Sequence, residues 1–413
     1  MIQDDLQKKK SWIQSWWTRA IAGFLAVAMA TTVLLANAVR IQIPVDSGSA
    51  SEYTLSESTD FVKKNMAARM EDLLRQLLVN PSTLEQHYRN ASVYIGVAKY
   101  DEALAEIDAC LSLADGSDTA LNDELWLKRG CLETLTGAYD SALESFTNIS
   151  SGVYVDELLQ IKAQIYAEQG NAQLTAEMLE AYLQSNPGDN DMRVSLASAY
   201  LQLQRYEDAI GQYRAILEGG VDDAGQTFML LASAYMLAGQ YEEAIANFLQ
   251  AKDAGYSDPS ACLAQCALAS YLKADYASVI SYGDQAISTG SEHFTYETLC
   301  YYMALAQMNL GAFAEAITLF SIAINQGAEI DDAYYFRGAC YMVAGEMDAA
   351  IADFTTVIEK NVEALLPNCY FNRGICAADV KDYDMARSDF EEVLRLVQEG
   401  ELYDSAKAML DLL

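Results

Sequence analysis

Nine positions recur along the chain at nearly constant spacing: Ala103, Ala142, Thr175, Ala209, Ala244, Val279, Ala316, Ala350 and Ala386. The successive gaps are 39, 33, 34, 35, 35, 37, 34 and 36 residues. A period of this length marks a repeat architecture, in which each unit is one supersecondary element that buries its apolar face only against its neighbours. Twelve residues before each position stands a second small residue: Ala91, Gly130, Ala163, Ala197, Ala232, Ala267, Ala304, Gly338 and Gly374. Four residues after it, six units carry a ring, at Phe146, Tyr213, Phe248, Phe320, Phe354 and Phe390. A small residue on one helix lets a second helix approach, and a ring on the second fills the space left between them. The pattern therefore specifies pairs of closely packed helices. The composition agrees, with five Pro in 413 residues and an abundance of Ala and Leu.

Gly137, Gly170, Gly239, Gly311 and Gly345 fall where the first helix of a unit must stop and turn. Eleven of the 26 tyrosines also recur at two fixed places in the unit, among them Tyr94, Tyr200 and Tyr235 at one and Tyr100, Tyr241 and Tyr383 at the other. On these residues the unit resembles the tetratricopeptide repeat family, a helix-turn-helix of about 34 residues with small residues at three fixed positions. The resemblance implies an all-α, right-handed α-solenoid of about nine units over residues 84–396. The third and sixth units depart from the pattern, with Thr175 and Val279 at the recurring position and Gly283 where a ring is expected. Residues 58–83 read as an amphipathic helix ahead of the array and residues 401–413 as a helix that caps its far end.

Residues 20–39 carry no charge, and a helix rising about 1.5 Å per residue over that length matches the roughly 30 Å of a bilayer's hydrocarbon. Lys8, Lys9, Lys10 and Arg19 precede the segment, and Trp12, Trp16 and Trp17 sit where rings settle at headgroup level. The positive-inside bias keeps residues 1–19 in the cytoplasm as a leader and sends the array across, giving a single-pass membrane protein with extracytoplasmic repeats. Residues 41–57, with Pro, Gly and four Ser, have linker composition. The alternative is a secreted module, because Ala36-Asn37-Ala38 fits the small-x-small site of a signal peptide cleaved after Ala38. The short leader and one-span plan resemble bacterial proteins.

The formal net charge of −33 is spread along the chain, which argues against nucleic acid as a partner and for a solvated, self-repelling exterior. Cys262 and Cys266 lie one helical turn apart, yet no CxxC or HxxxH motif accompanies them, so buried core thiols are expected and no metal site. Asp189-Asn190-Asp191 lacks the Gly and terminal Glu of a calcium loop and reads as the acidic start of a helix. No phosphate loop, nucleophile elbow or HExxH is present, and His87 and His293 belong to no catalytic motif. A protein that binds other proteins, with no cofactor, small-molecule substrate or catalysis, is therefore expected. An enzyme requires carboxylates converging from distant units.

The resemblance further implies an inner face, lined by the first helix of each unit, that holds a peptide or a partner's helix. Its positions in the last three units are Tyr301, Tyr302, Tyr335, Phe336, Phe371 and Asn372. Packing between neighbouring first helices is the competing role for these rings. Arg89 and Lys128 match the places where some relatives clamp a terminal carboxylate, but they lie in separate units.

Overall fold

The structure, a computed structural model, describes residues 78–290, 296–326 and 332–413. The leader 1–19, the span 20–39, the linker 41–57 and most of the 58–83 segment lie outside the described residues, as does His293. Among the described residues there are nineteen α-helices and no strand, and no helix is long and apolar enough to cross a membrane.

The helices follow one another in pairs joined by two or three residues. The first four pairs are α1 (Leu84–Gly96) and α2 (Tyr100–Leu113), α3 (Thr119–Leu135) and α4 (Tyr139–Thr147), α5 (Val155–Glu168) and α6 (Ala172–Ser185), and α7 (Asn190–Gln202) and α8 (Tyr206–Gly219). The next two are α9 (Ala224–Ala238) and α10 (Tyr241–Asp253), then α11 (Pro259–Leu272) and α12 (Tyr276–Thr289). The last three are α13 (Glu297–Asn309) and α14 (Phe313–Asn325), α15 (Asp332–Ala344) and α16 (Met347–Glu359), and α17 (Leu366–Asp379) and α18 (Tyr383–Leu396). A closing helix, α19 (Glu401–Leu412), packs on α18. The chain divides into two compact units, Met1–Ala209 and Ile210–Leu413.

Local chemistry sets where the helices begin and end. Asp118, Asp189, Asp223 and Asp258 each precede a first helix and accept the backbone N–H three residues on, at 2.9 to 3.1 Å. This satisfies a donor that the helix leaves without a partner and places negative charge at the positive end of its dipole. Part of the acidic surplus is thus helix-starting chemistry, and Asp189 is one instance of it. Between the helices of every pair one residue is left-handed, as at Gly239 (φ 76°), where the N–H groups of Gly239 and Gln240 reach back to the Met236 and Tyr235 carbonyls. In four pairs that residue is not Gly but Ala98, Gln204, Ala274 or Lys381.

The small-and-ring pattern is the packing core of each pair. A Cβ built on Gly130 would lie 2.2 Å from the Phe146 ring, one on Gly374 2.9 Å from Phe390, and one on Gly338 3.0 Å from Phe354. The ring of the second helix therefore rests directly on the backbone of the first, which only Gly allows at that separation. At Gly283, where a ring is missing, a Cβ would meet Met303 Sδ at 2.4 Å. Met303, on the next first helix, reaches into the place a ring fills in other pairs, so the sixth unit keeps its packing by a substitute from its neighbour.

Candidate functional site

Within Ile210–Leu413 the first helices α11, α13, α15 and α17 each touch the next in line. They carry the six expected face residues as adjacent pairs: Tyr301 and Tyr302 on α13, Tyr335 and Phe336 on α15, Phe371 and Asn372 on α17. Consecutive residues on a helix point about 100° apart, so the members of a pair meet different surroundings. The first member leans on the ring of its own second helix: Tyr301 on Phe320 at 5.9 Å between centroids, Tyr335 on Phe354 at 6.0 Å, Phe371 on Phe390 at 5.8 Å. The second member reaches back to the preceding pair. Tyr302 meets Tyr271 at 5.0 Å, Phe336 stacks on Phe320 at 6.3 Å, and Asn372 Nδ2 donates to Tyr335 Oη at 3.5 Å.

The result is an unbroken run of rings from Tyr276 through Tyr271, Tyr302, Tyr301, Phe320, Phe336 and Tyr335 to Phe354. Edge-to-face and offset contacts of this kind add to the area they bury. Tyr301 is 5% exposed and belongs to the core, whereas the other five expected residues are half-buried and keep part of their surface at the helix face. Burial, reinforced by the Asp332 carboxylate, raises the Tyr301 and Tyr302 phenols above their ordinary range. Both hydroxyls stay neutral, and the five half-buried face residues are rings and one amide, none of them charged.

A second constellation begins one residue further along the same first helices, at Arg337 and Arg373. Arg337 Nε and Nη2 donate to both carboxylate oxygens of Asp353 at 2.8 and 2.7 Å, and Nη1 donates to Ser321 Oγ of the preceding pair at 3.0 Å. Arg373 repeats the arrangement with Asp389 at 2.8 and 2.7 Å and Thr355 Oγ1 at 2.9 Å. In Met1–Ala209, Arg129 occupies the same place, donating to Asp108 Oδ1 at 2.8 Å and pairing with Glu133 at 2.7 Å, while Asn90 donates to Glu106 at 3.3 Å. These clamps escaped the sequence reading, although an Arg beside the small residue and an Asp sixteen residues later is a visible signal in the last two units.

Of the remaining singled-out residues, Lys128, His87, Cys262 and Cys266 are engaged by their neighbours. Lys128 lies 3.7 Å from Glu124 and over the Tyr88 ring, and Tyr88 donates to the same carboxylate at 2.5 Å, so its charge is engaged; Arg89 is exposed on α1. His87 Nδ1 sits 2.5 Å from Glu106. Cys262 and Cys266 are buried, which pushes their thiols up to about 11 and about 12, and Cys266 Sγ contacts the Ile245 carbonyl at 3.8 Å. They are core thiols, protonated at neutral pH.

Comparison with known proteins bears on the fold. The tetratricopeptide repeat family model matches residues 162–226, 196–261 and 301–363. The C-terminal part of a TPR repeat-containing protein from Cytophaga hutchinsonii is similar at 16% identity, over 62% of this chain and 98% of its own, with a TM-score of 0.51. A tetratricopeptide repeat protein from Parabacteroides merdae matches at 18% identity over 62% and 98%, with a TM-score of 0.42. YrrB, described as a TPR protein with an unusual peptide-binding site, matches at 18% identity over 56% and 99%, with a TM-score of 0.32. No curated protein matches the chain.

Proposed function

We propose that this chain, whose residues 162–261 and 301–363 match the tetratricopeptide repeat family model, is a non-catalytic scaffold that holds a peptide or helical segment of another protein on the first-helix face of Ile210–Leu413. The observation that carries this reading is the half-buried pair of rings Tyr302 and Phe336, in register with Asn372, beside the half-buried Tyr335 and Phe371 of the adjacent register. Rings anchored by packing on one side and open on the other offer rigid contact area at low entropic cost, the property of binding hot spots. Asn372 supplies an amide that can fix a peptide backbone. Replacing Tyr302, Phe336 and Phe371 together by Ala is expected to abolish partner capture while helix content stays at the wild-type level. Capture that survives the triple substitution sinks the reading.

The scaffold is tethered by residues 20–39, with the leader in the cytoplasm and the repeats outside it, on the strength of an uncharged stretch of bilayer length behind three lysines and an arginine. Protease shaving of intact cells tests this. Digestion of the repeats with a small amino-terminal fragment left in the membrane fits a tether. Protection of the whole chain contradicts it, and a product in the medium lacking residues 1–38 makes the protein a secreted module instead.

A further inference from the structure

Two places in the array share one arrangement. In Met1–Ala209, Tyr88 stands fifteen residues before its recurring small residue, Ala103, and Glu124 eighteen residues before the next, Ala142. The Tyr88 hydroxyl donates to the Glu124 carboxylate at 2.5 Å. Lys128, fourteen residues before Ala142, completes the group, with Nζ 3.7 Å from Glu124 and 5.5 Å from the centre of the Tyr88 ring. In Ile210–Leu413 the same three places, counted from Ala316 and Ala350, hold Tyr301, Asp332 and Phe336. The Tyr301 hydroxyl donates to the Asp332 carboxylate, as Tyr88 does to Glu124. The tyrosine and the carboxylate are kept, and a ring stands where the first group has its cation.

Further rings gather at the second carboxylate. Tyr302 lies 5.4 Å from Tyr301 and 5.0 Å from Tyr271 between centroids. Burial first, and the Asp332 charge with it, raise the hydroxyls of all three tyrosines. Tyr302 and Asp332 are half-buried, so part of each stays open at the first-helix face. A carboxylate beside neutral ring faces attracts a cation through its charge and through the ring quadrupoles together. The chain fills such a place with its own cation at Lys128 and again at Arg205, which lies 4.3 Å from the centre of the Tyr200 ring and 3.8 Å from Glu180, the carboxylate that Tyr200 bonds at 2.7 Å.

We propose that a lysine or arginine side chain of the segment held on the first-helix face lodges its cation against Asp332 and the Tyr302 ring. Given that this face holds a partner segment, the segment then carries a basic residue beside the apolar ones that meet Phe336 and Phe371. An acidic residue at that place is repelled, so Asp332 selects among apolar segments by charge.

The test uses the full-length protein in detergent and a phage-displayed library of random dodecapeptides. Peptides whose binding is abolished by Tyr302→Ala with Phe336→Ala are kept, which confines the test to the first-helix face. A Lys or Arg is expected in them, and its replacement by norleucine should weaken binding to the wild type about tenfold or more in fluorescence anisotropy, but binding to Asp332→Asn by less than about twofold. Circular dichroism checks that Asp332→Asn keeps its helices. A second measurement needs no variant: carbodiimide coupling of a bound lysine peptide to the wild type should place the new amide at Asp332, located by mass spectrometry. Face peptides without a basic residue, an equal norleucine effect in both proteins, or coupling only at other carboxylates overturns the proposal and leaves the scaffold reading standing. A library that yields no peptide dependent on Tyr302 and Phe336 overturns both.

Discussion

Arg373→Met is the most informative perturbation of the array. The guanidinium makes two charge-assisted hydrogen bonds to Asp389 and a third to Thr355 on the preceding pair, and the Asp389 side chain is only 3% exposed. Removing the cation leaves a buried carboxylate without compensation, a change that costs about 3–5 kcal/mol. Asp389→Leu in the same chain removes the orphaned charge, so the double variant is expected within about 1 kcal/mol of the wild type, because well-packed apolar pairs replace buried ion pairs at little net cost. The coupling between the two positions is then at least about 2–4 kcal/mol, and larger by whatever Asp389→Leu costs alone.

The pH dependence has a fixed sign. Burial raises the Asp389 carboxyl above its ordinary value while Arg373 opposes it, and with Arg373 gone the remaining influences, burial and the Asp382 and Glu392 charges, all act upward. The folded variant then binds the proton more tightly than the unfolded chain, so its deficit is full at neutral pH and shrinks as pH falls through the raised value. Hydrogen exchange across residues 366–396 reads the local opening free energy directly, which suits a repeat array whose unfolding is not a single step. Single variants that each cost under about 1 kcal/mol, or a double variant that costs the sum of both, would refute the argument.

Three further outcomes follow from the packing. The buried Tyr213 hydroxyl has no hydrogen-bond partner, so Tyr213→Phe is expected to stabilise the chain by about 1 kcal/mol in urea unfolding; a loss of that size would mean the hydroxyl is satisfied in solution. Lys381 is left-handed at φ 66°, and Lys381→Gly should gain up to about 1 kcal/mol, while Gly239→Ala should lose about as much; thermal midpoints moving the other way would count against backbone strain as the cause. Asp123 is buried and accepts the Ser150 and Ser151 N–H groups at 2.9 and 2.8 Å, which, with the Ser150 N–H foremost, hold its carboxyl below the usual value. That stabilisation is present above the ordinary aspartate value and lost as pH falls below it, so Asp123→Asn should flatten the acid limb of stability of Met1–Ala209, and an unchanged limb would assign acid sensitivity elsewhere.

The helix pairs were legible because size is constrained at a few places: a Phe ring on a Gly backbone leaves a trace at two fixed positions per unit. Gly283 was not legible as a packed site, since the group that fills it, Met303, belongs to the next unit and obeys no position rule of its own. The left-handed turns were read only where Gly announces them; Ala98, Gln204, Ala274 and Lys381 adopt the same conformation because the tertiary packing of two helices outweighs a local cost of about 1–2 kcal/mol. For the candidate face, the recurring pairs were visible, but which member turns inward was not. Tyr301 and Tyr302 are neighbours of the same type, and only contact with Phe320 on one side and Tyr271 on the other separates a core residue from a face residue. Arg337 and Arg373 hid among the surface charges, although their partners recur sixteen residues on.

The central claim, that the first-helix face of the last three pairs holds another protein, is tested most directly by placing a photo-crosslinking phenylalanine analogue at Phe336 in the full-length chain inside its host cell. The same analogue at Thr318, exposed on α14, serves as control. A discrete adduct at position 336 that is absent at 318, and that disappears when Tyr302 and Phe371 are replaced by Ala, is the predicted result. Adducts of equal yield and identity at both positions would contradict the claim.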